Sequence, residues 1–273
     1  MPASAFGLAL TAAVIHALWN VLLARARETE AVTVVVLGSA IVVFAPVTAA
    51  VWRVNASAWP FILGSSALEL AYFVLLAAAY RRAELSLVYP LARGAAPVLV
   101  LAIGAAALGA RTSWTQAAGV GLVGGGILLV RGPRRAADAR GIAFALAIAT
   151  CIAGYTLVDK YGIRHANPIA YLELVLLPPT LAYGAWVVRT RGLGPLRSEL
   201  RVTTVTAGVA TFGGYTLVLA ALRLASAASV AAVRETSVVI ATALAALVLK
   251  ERVSPGRMAG AVVVVAGIAL VSL

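Results

Sequence analysis

The chain has 273 residues, of which 62% are hydrophobic and 12% charged, with a formal net charge of +12. Ordinary soluble domains are roughly 45–50% apolar and about 25% charged, and a chain of this size cannot enclose so much apolar surface in a water-soluble interior. Nucleic acid is not the partner that the positive charge implies, because the basic residues form short clusters between long apolar runs, where membrane-topology signals belong.

Lipid is the solvent that fits. In hydrocarbon every backbone N–H and C=O must be paired internally, so helices or closed barrels are the spanning structures. The apolar runs are continuous rather than alternating, and about 20 residues each, the length of a helix crossing a ~30 Å hydrocarbon core. In chain order the predicted spans are roughly 3–24, 31–52, 59–80, 85–109, 114–131, 141–160, 168–188, 202–222, 227–249 and 256–272. This predicts an all-α membrane protein of ten transmembrane helices. The first run lacks a basic leader and carries His16, Trp19 and Asn20, so it reads as a helix of the protein and not as a cleaved signal. Cys151, the single cysteine, lies inside the sixth run and points to neither a disulfide nor a metal site. The connections are short; Arg131–Arg140 and Arg189–Arg201 are the longest polar links, and no soluble domain fits between spans.

The midpoint link divides the chain into residues 1–132 and 141–273, and the two halves look related. Thr11, His16 and Asn20 in span one match Thr150, Tyr155 and Asp159 in span six. Arg93 matches Arg234 at an offset of 141, and the same offset relates Arg111-x-Ser113 to Arg252-x-Ser254 and Ala118-Gly119 to Ala259-Gly260. A constant offset across several positions predicts an internal repeat. Five spans per half force the second repeat to enter inverted, giving two inverted five-helix repeats in one integrated unit. Charge counting tests the span number. Links after odd-numbered spans hold fifteen of the 22 Lys and Arg, and links after even-numbered spans hold five. One face is thus consistently basic, and the positive-inside rule would put it in the cytoplasm with both termini outside.

Three segments carry a resemblance to a known family: His16-Ala-Leu-Trp-Asn20, Tyr89-Pro-Leu-Ala-Arg-Gly-Ala-Ala-Pro97, and Arg234-Glu-Thr-Ser-Val-Val-Ile-Ala leading to Leu249-Lys-Glu-Arg-Val-Ser254. With the length and the two-repeat plan, these resemble the EamA branch of the drug/metabolite transporter superfamily. The resemblance implies a multi-pass carrier of the inner (plasma) membrane, working by alternating access and usually exporting small metabolites, with no catalytic residue, metal or cofactor. It also implies both termini inside, against the charge count. One departure stands out: the Leu-Gly-Glu ending of each repeat's fourth span survives in acidic form at Leu249-Lys250-Glu251 but reads Leu108-Gly109-Ala110 in the first half.

Five charges fall inside spans: Glu69, Arg93, Glu173, Arg234 and Glu235. Each costs roughly 2.5–3.5 kcal/mol on insertion scales, so each needs either an internal partner or a polar cavity. Glu69 has Tyr72 and Phe73 three and four residues on, which share its helix face. A carboxyl group beside aromatic rings can hold a proton in one state and release it in another, so Glu69 is the candidate coupling site; a permanently protonated or Arg-paired side chain is the alternative. Arg93 lies between Pro90 and Pro97. Proline opens the helix ladder, and carriers build midplane sites from broken helices. Arg93 requires an anion: Glu69, Glu173 or a substrate carboxylate. His16, Trp19 and Asn20 form an i, i+3, i+4 stripe, with Tyr155 and Asp159 at the matching places in span six. Trp19 alone would also suit an interfacial anchor, and Asp159 with Lys160 and Arg164 suggests a salt bridge at the membrane edge. Gly121-x3-Gly125 and Gly256-x3-Gly260 are close-packing patterns, within the chain or between two copies, so the chain is expected as a monomer or homodimer. Gly213-Gly214 and Pro178-Pro179 are candidate bends.

The expected cavity is lined by spans one, three, four, six, eight and nine. Its substrate-binding residues are His16, Trp19, Asn20, Glu69, Tyr72, Tyr89, Arg93, Tyr155, Tyr215 and Arg234, suited to an amino acid or related amphipathic metabolite. A flippase for a polyprenyl-phosphate-linked or other lipid, and an intramembrane lipid-modifying enzyme, are the alternatives.

Overall fold

The computed structural model describes residues 1–23, 29–82, 85–131, 139–247 and 254–272. It is helical throughout: α1 (Ala3–Leu23), α2 (Thr29–Ala50), α3 (Trp59–Arg82), α4 (Leu85–Leu108), α5 (Trp114–Arg131), α6 (Ala139–Gly162), α7 (Pro168–Arg191), α8 (Gly194–Glu199), α9 (Val202–Leu224), α10 (Ala227–Arg234), α11 (Thr236–Leu247) and α12 (Pro255–Ser272). Among the described residues, seven helices are long and apolar enough to cross a membrane; α1 and α5 provide shorter apolar stretches. Glu251, at the end of the predicted ninth span, lies outside the described residues.

The helix count departs from ten at two places. A short helix, α8, occupies the link expected to be polar and irregular. The ninth predicted span is divided at Glu235, where Glu235 N donates to the Ala232 carbonyl (3.1 Å) and Val238 N to the Glu235 carbonyl (2.9 Å). These i→i+3 bonds tighten the chain by one turn between α10 and α11. The expected break at Pro90 and Pro97 does not occur: both prolines lie inside a continuous α4. Neighbouring helices re-satisfy the freed backbone groups at such prolines in a membrane bundle, and α4 packs against α5, α6 and α10. Pro178-Pro179 and Gly213-Gly214 likewise sit within the unbroken α7 and α9.

Around the centre, α1 packs on α9, α10 and α11; α2 on α7 and α9; α3 on α6 and α7; and α4 on α6 and α10. α5 and α12 form a peripheral pair. Glycines set that contact: a Cβ on Gly119 would lie 2.7 Å from the Gly267 carbonyl oxygen, and one on Gly126 2.8 Å from that of Gly260. The packing repeat is therefore seven residues, not the four expected for Gly121 and Gly125, which have open space at their Cβ positions. Of the second pattern, Gly260 is inside the contact and Gly256 at its rim, 3.9 Å from the Leu129 carbonyl. The matched Ser113 and Ser254 prove to be helix caps: their hydroxyls accept from Gln116 N (3.1 Å) and Arg257 N (3.4 Å) at the starts of α5 and α12.

Two sets of contacts mark the ends of the bundle. At one, the start of α2 meets the ends of α3 and α7 through Glu30, Arg81 and Arg191. At the other, the end of α2 meets the start of α7, where Asn167 N donates to the Arg53 carbonyl (2.7 Å).

Candidate functional site

A cavity of about 470 Å³ is lined from Tyr155, Leu172 and Tyr215 in the middle of the bundle to Trp19 near the end of α1 and Thr29 at the start of α2. Nine of the ten residues singled out in the sequence line it: His16, Trp19, Glu69, Tyr72, Tyr89, Arg93, Tyr155, Tyr215 and Arg234. Asn20 keeps its place in α1, but its side chain lies outside the described residues. Trp19 lines the cavity and packs edge-on to His16 at 5.0 Å between ring centroids. Tyr89 stands at the mouth, 44% exposed. The cavity also takes walls from α2 and α7, which the sequence reading left out: Thr29, Val32, Thr33, Val36 and Leu37, and Leu172 and Leu176. Those apolar and hydroxyl residues carry no charge to attract notice in a hydrophobic run.

The charges pair differently from expectation. Arg93 does not meet Glu69 or Glu173. Its Nε lies 3.1 Å from Glu235 Oε2, and its Nη2 donates to Ser237 Oγ at 3.3 Å. Both partners sit at the α10–α11 break, so the break supplies the buried counter-ion for α4. Glu173 instead faces Thr48, whose hydroxyl donates to its Oε2 at 3.5 Å. Arg93 is thus neutralised within the protein, while Glu69 and Arg234 are in no ion pair among the described residues. The Arg234 guanidinium lies over the Tyr215 ring, 5.2 Å from its centroid, a cation–π contact. Tyr215 packs edge-on to Tyr155 (6.1 Å), and Tyr155 to Tyr72 (6.4 Å), so three phenol rings step across the cavity wall. One pocket therefore offers a carboxyl group, a guanidinium, an imidazole and an aromatic wall.

The model of the EamA-like transporter family matches residues 3–132 and again residues 139–273. The chain belongs to that family. It is accordingly a helical, multi-pass membrane protein built of two repeats. One solved crystal structure of a protein is similar over 99% of this chain and 96% of its own, with a TM-score of 0.81 at 16% identity, a likeness of fold alone. No curated protein matches the chain.

Among the described residues of this EamA-like protein the cavity takes no lining from the opposite end, where the helices are joined by polar contacts the sequence reading missed. Asp159, fully buried, accepts from Tyr215 Oη at 2.6 Å and Tyr171 Oη at 3.0 Å. Among the described residues the expected edge salt bridge with Lys160 and Arg164 does not form: neighbours at i,i+1 point to different sides of a helix, and the Arg164 guanidinium lies over the Tyr161 ring at 5.2 Å. Lys160 Nζ turns to the Leu222 (2.5 Å) and Ala225 (2.8 Å) carbonyls, capping the end of α9. Arg223, from α9, returns to the carbonyls of Ile163 (2.9 Å) and Ala166 (2.5 Å) in the α6–α7 link. That link pairs with the α2–α3 link through an antiparallel bridge between Val54 and Ala166. Gly162 makes room for this arrangement: a Cβ there would lie 2.5 Å from Tyr171 Oη. Tyr215 belongs to both regions, with its ring under Arg234 and its hydroxyl on Asp159.

Proposed function

We propose that this protein is a secondary transporter, an exporter of small metabolites such as amino acids or related amphipathic compounds, in the inner (plasma) membrane. It crosses the membrane ten times, α10 and α11 together making the ninth crossing. Its two five-helix repeats, residues 1–132 and 141–273, are inverted relative to each other and form one integrated unit. They rock about the cavity and expose it to one side at a time. No chemical step on the substrate and no cofactor enters this reading.

One observation carries it: a mixed-charge cavity reaches one end of the bundle while a polar network closes the other. A half-open site is what alternating access requires. With Arg93 held by Glu235, Arg234 is the cation left for a substrate anion, and Glu69 the carboxyl left for a substrate cation or a coupling proton.

Flux from proteoliposomes tests this. Vesicles loaded with a mixed pool of amino acids and related metabolites are followed with and without an imposed pH gradient, for wild type and Glu69→Gln. Gradient-stimulated release of a defined subset, lost in Glu69→Gln, is the expected result. Release indifferent to the gradient and to Glu69 would keep the carrier and remove the coupling role. No release of any compound would overturn the metabolite reading in favour of a lipid substrate or an enzymatic role.

A further inference from the structure

The two links that join α2 to α3 and α7 to α9 occupy corresponding places in the two halves and are satisfied in different ways. The α2–α3 link finds its partners in protein: Asn55 N donates to the His165 carbonyl (2.9 Å), and the Arg53 carbonyl accepts from Asn167 N (2.7 Å). The backbone bonds of the α7–α9 link are to itself: Arg197 N to the Leu193 carbonyl (3.0 Å), Leu200 N to that of Arg197 (3.4 Å) and Arg201 N to that of Glu199 (2.8 Å). It holds to the bundle through Leu196, packed against the cluster of Ala77, Tyr183 and Val187.

The outward surface of this link is apolar and cationic at once. Leu193, Leu200 and Val202 are 50%, 65% and 83% exposed. Between and beside them stand Arg189, Arg197 and Arg201, all exposed. Arg191 is drawn off to Glu30 at 2.7 Å, but Arg189 and Arg197 are in no ion pair among the described residues, and Arg201 uses its Nε on the Ser198 carbonyl (2.8 Å). Glu199 is the single acid between Arg189 and Val202. Trp186, one turn earlier and part-exposed, carries the Arg81 guanidinium over its ring at 5.6 Å, an arrangement that fits the headgroup level, where Trp is enriched. Leucine and valine exposed to water would gain nothing there; set in the acyl boundary, they place the arginines at phosphate depth.

We propose that the segment from Arg189 to Val202 is a headgroup-binding arm, which seats the open end of the bundle on anionic phospholipid. The guanidinium groups take the phosphates, and Leu193, Leu200 and Val202 enter the acyl boundary. Because the arm joins two cavity-lining helices, α7 and α9, anionic lipid would also hold the mouth of the cavity in shape.

The test is lipid-dependent thermal unfolding of the purified full chain. The protein, in neutral detergent, is titrated with phosphatidylglycerol or phosphatidylcholine, and the apparent affinity is read from the rise in Tm. Phosphatidylglycerol should stabilise more strongly, and each arginine removed in Arg189→Gln, Arg197→Gln and Arg201→Gln should weaken its apparent affinity about fivefold. Phosphatidylcholine binding should not change. Lysine at the same three positions should retain most of the effect, and Arg53→Gln with Arg111→Gln, at the other end, should retain all of it. Should the triple variant not fold, Arg197→Gln alone gives the single-step loss. Full phosphatidylglycerol stabilisation in the glutamine variants would overturn the proposal. So would equal stabilisation by inorganic phosphate, which would make the ligand a free anion. None of these readouts depends on transport.

Discussion

At the closed end, two cations cap backbone: Lys160 holds the last carbonyls of α9, and Arg223 holds those of the α6–α7 link, while Asp159 gathers two phenols below them. At the open end, three helices meet on one carboxylate, with Glu30 taking Arg81 at 2.6 Å and Arg191 at 2.7 Å. In the first arrangement Asp159 is fully buried, so its two phenols have no water to replace their acceptor, while Lys160 is half-buried and Arg223 exposed. The second uses arginines 45% and 41% exposed, for which water competes. Hydrogen bonds to a buried charged group such as Asp159 contribute about 1.5–3 kcal/mol each, and exposed ion pairs about 0–1 kcal/mol. The difference predicts that substitution is poorly tolerated at Asp159 and better tolerated at the open end.

The largest effect belongs to Asp159. Asp159→Ala leaves the hydroxyls of Tyr171 and Tyr215 without their acceptor, each at a cost of about 1–3 kcal/mol. A fall in Tm of many degrees is expected, and Tyr215→Phe, which removes one hydroxyl together with its bond, should lose markedly less. Equal losses in the two variants would mean that Tyr171 does not share the carboxylate.

Arg223 comes next, and it separates closure from stability. Arg223→Gln with Lys160→Met removes four bonds to carbonyls on the surface side of Asp159 while leaving the buried phenols in place. Ser65, fully buried in α3, is a reporter for access. In a Cys151→Ala background, Ser65→Cys should be shielded from a membrane-impermeant maleimide applied to the closed end. Labelling should rise several-fold once Arg223 and Lys160 are replaced. Unchanged labelling would assign closure to the Asp159 cluster and the interlink bridge alone.

How much of this was legible in the sequence follows from what each feature depends on. The long apolar runs announced the helices because a bilayer core fixes their length. Arg93 and Arg234, related by a constant offset, announced the cavity because an intramembrane charge must face the bundle interior. The α10–α11 break gave no such sign. Prolines pointed to α4, yet the break lies where Glu235 meets Arg93 across two helices, and that pairing exists only once the helices are assembled. Asp159 misled because Lys160 is its neighbour in sequence while Tyr171 and Tyr215 are its neighbours in space. The glycine pattern was readable as close packing, but several spacings were present, and the register of α5 against α12 selected Gly119 with Gly126 over Gly121 with Gly125.

The smallest effect is expected at Glu30, and it bears hardest on the contrast between the two ends. Glu30→Gln keeps the side chain's shape and removes the charge shared by Arg81 and Arg191. Both guanidinium groups are exposed enough to be taken up by water, and Arg81 retains the Trp186 ring. Glu30 itself is buried, so the loss should lie near the top of the range for exposed pairs, about 1 kcal/mol, seen as a small fall in Tm. Salt should already weaken the wild-type interaction, since exposed pairs are screened over about 10 Å at 0.1 M, so wild type and variant should converge as ionic strength rises. A loss as large as that of Asp159→Ala, insensitive to salt, would show that Glu30 is bound as tightly as the closed end, and that the mouth is held by a buried node instead of a yielding one.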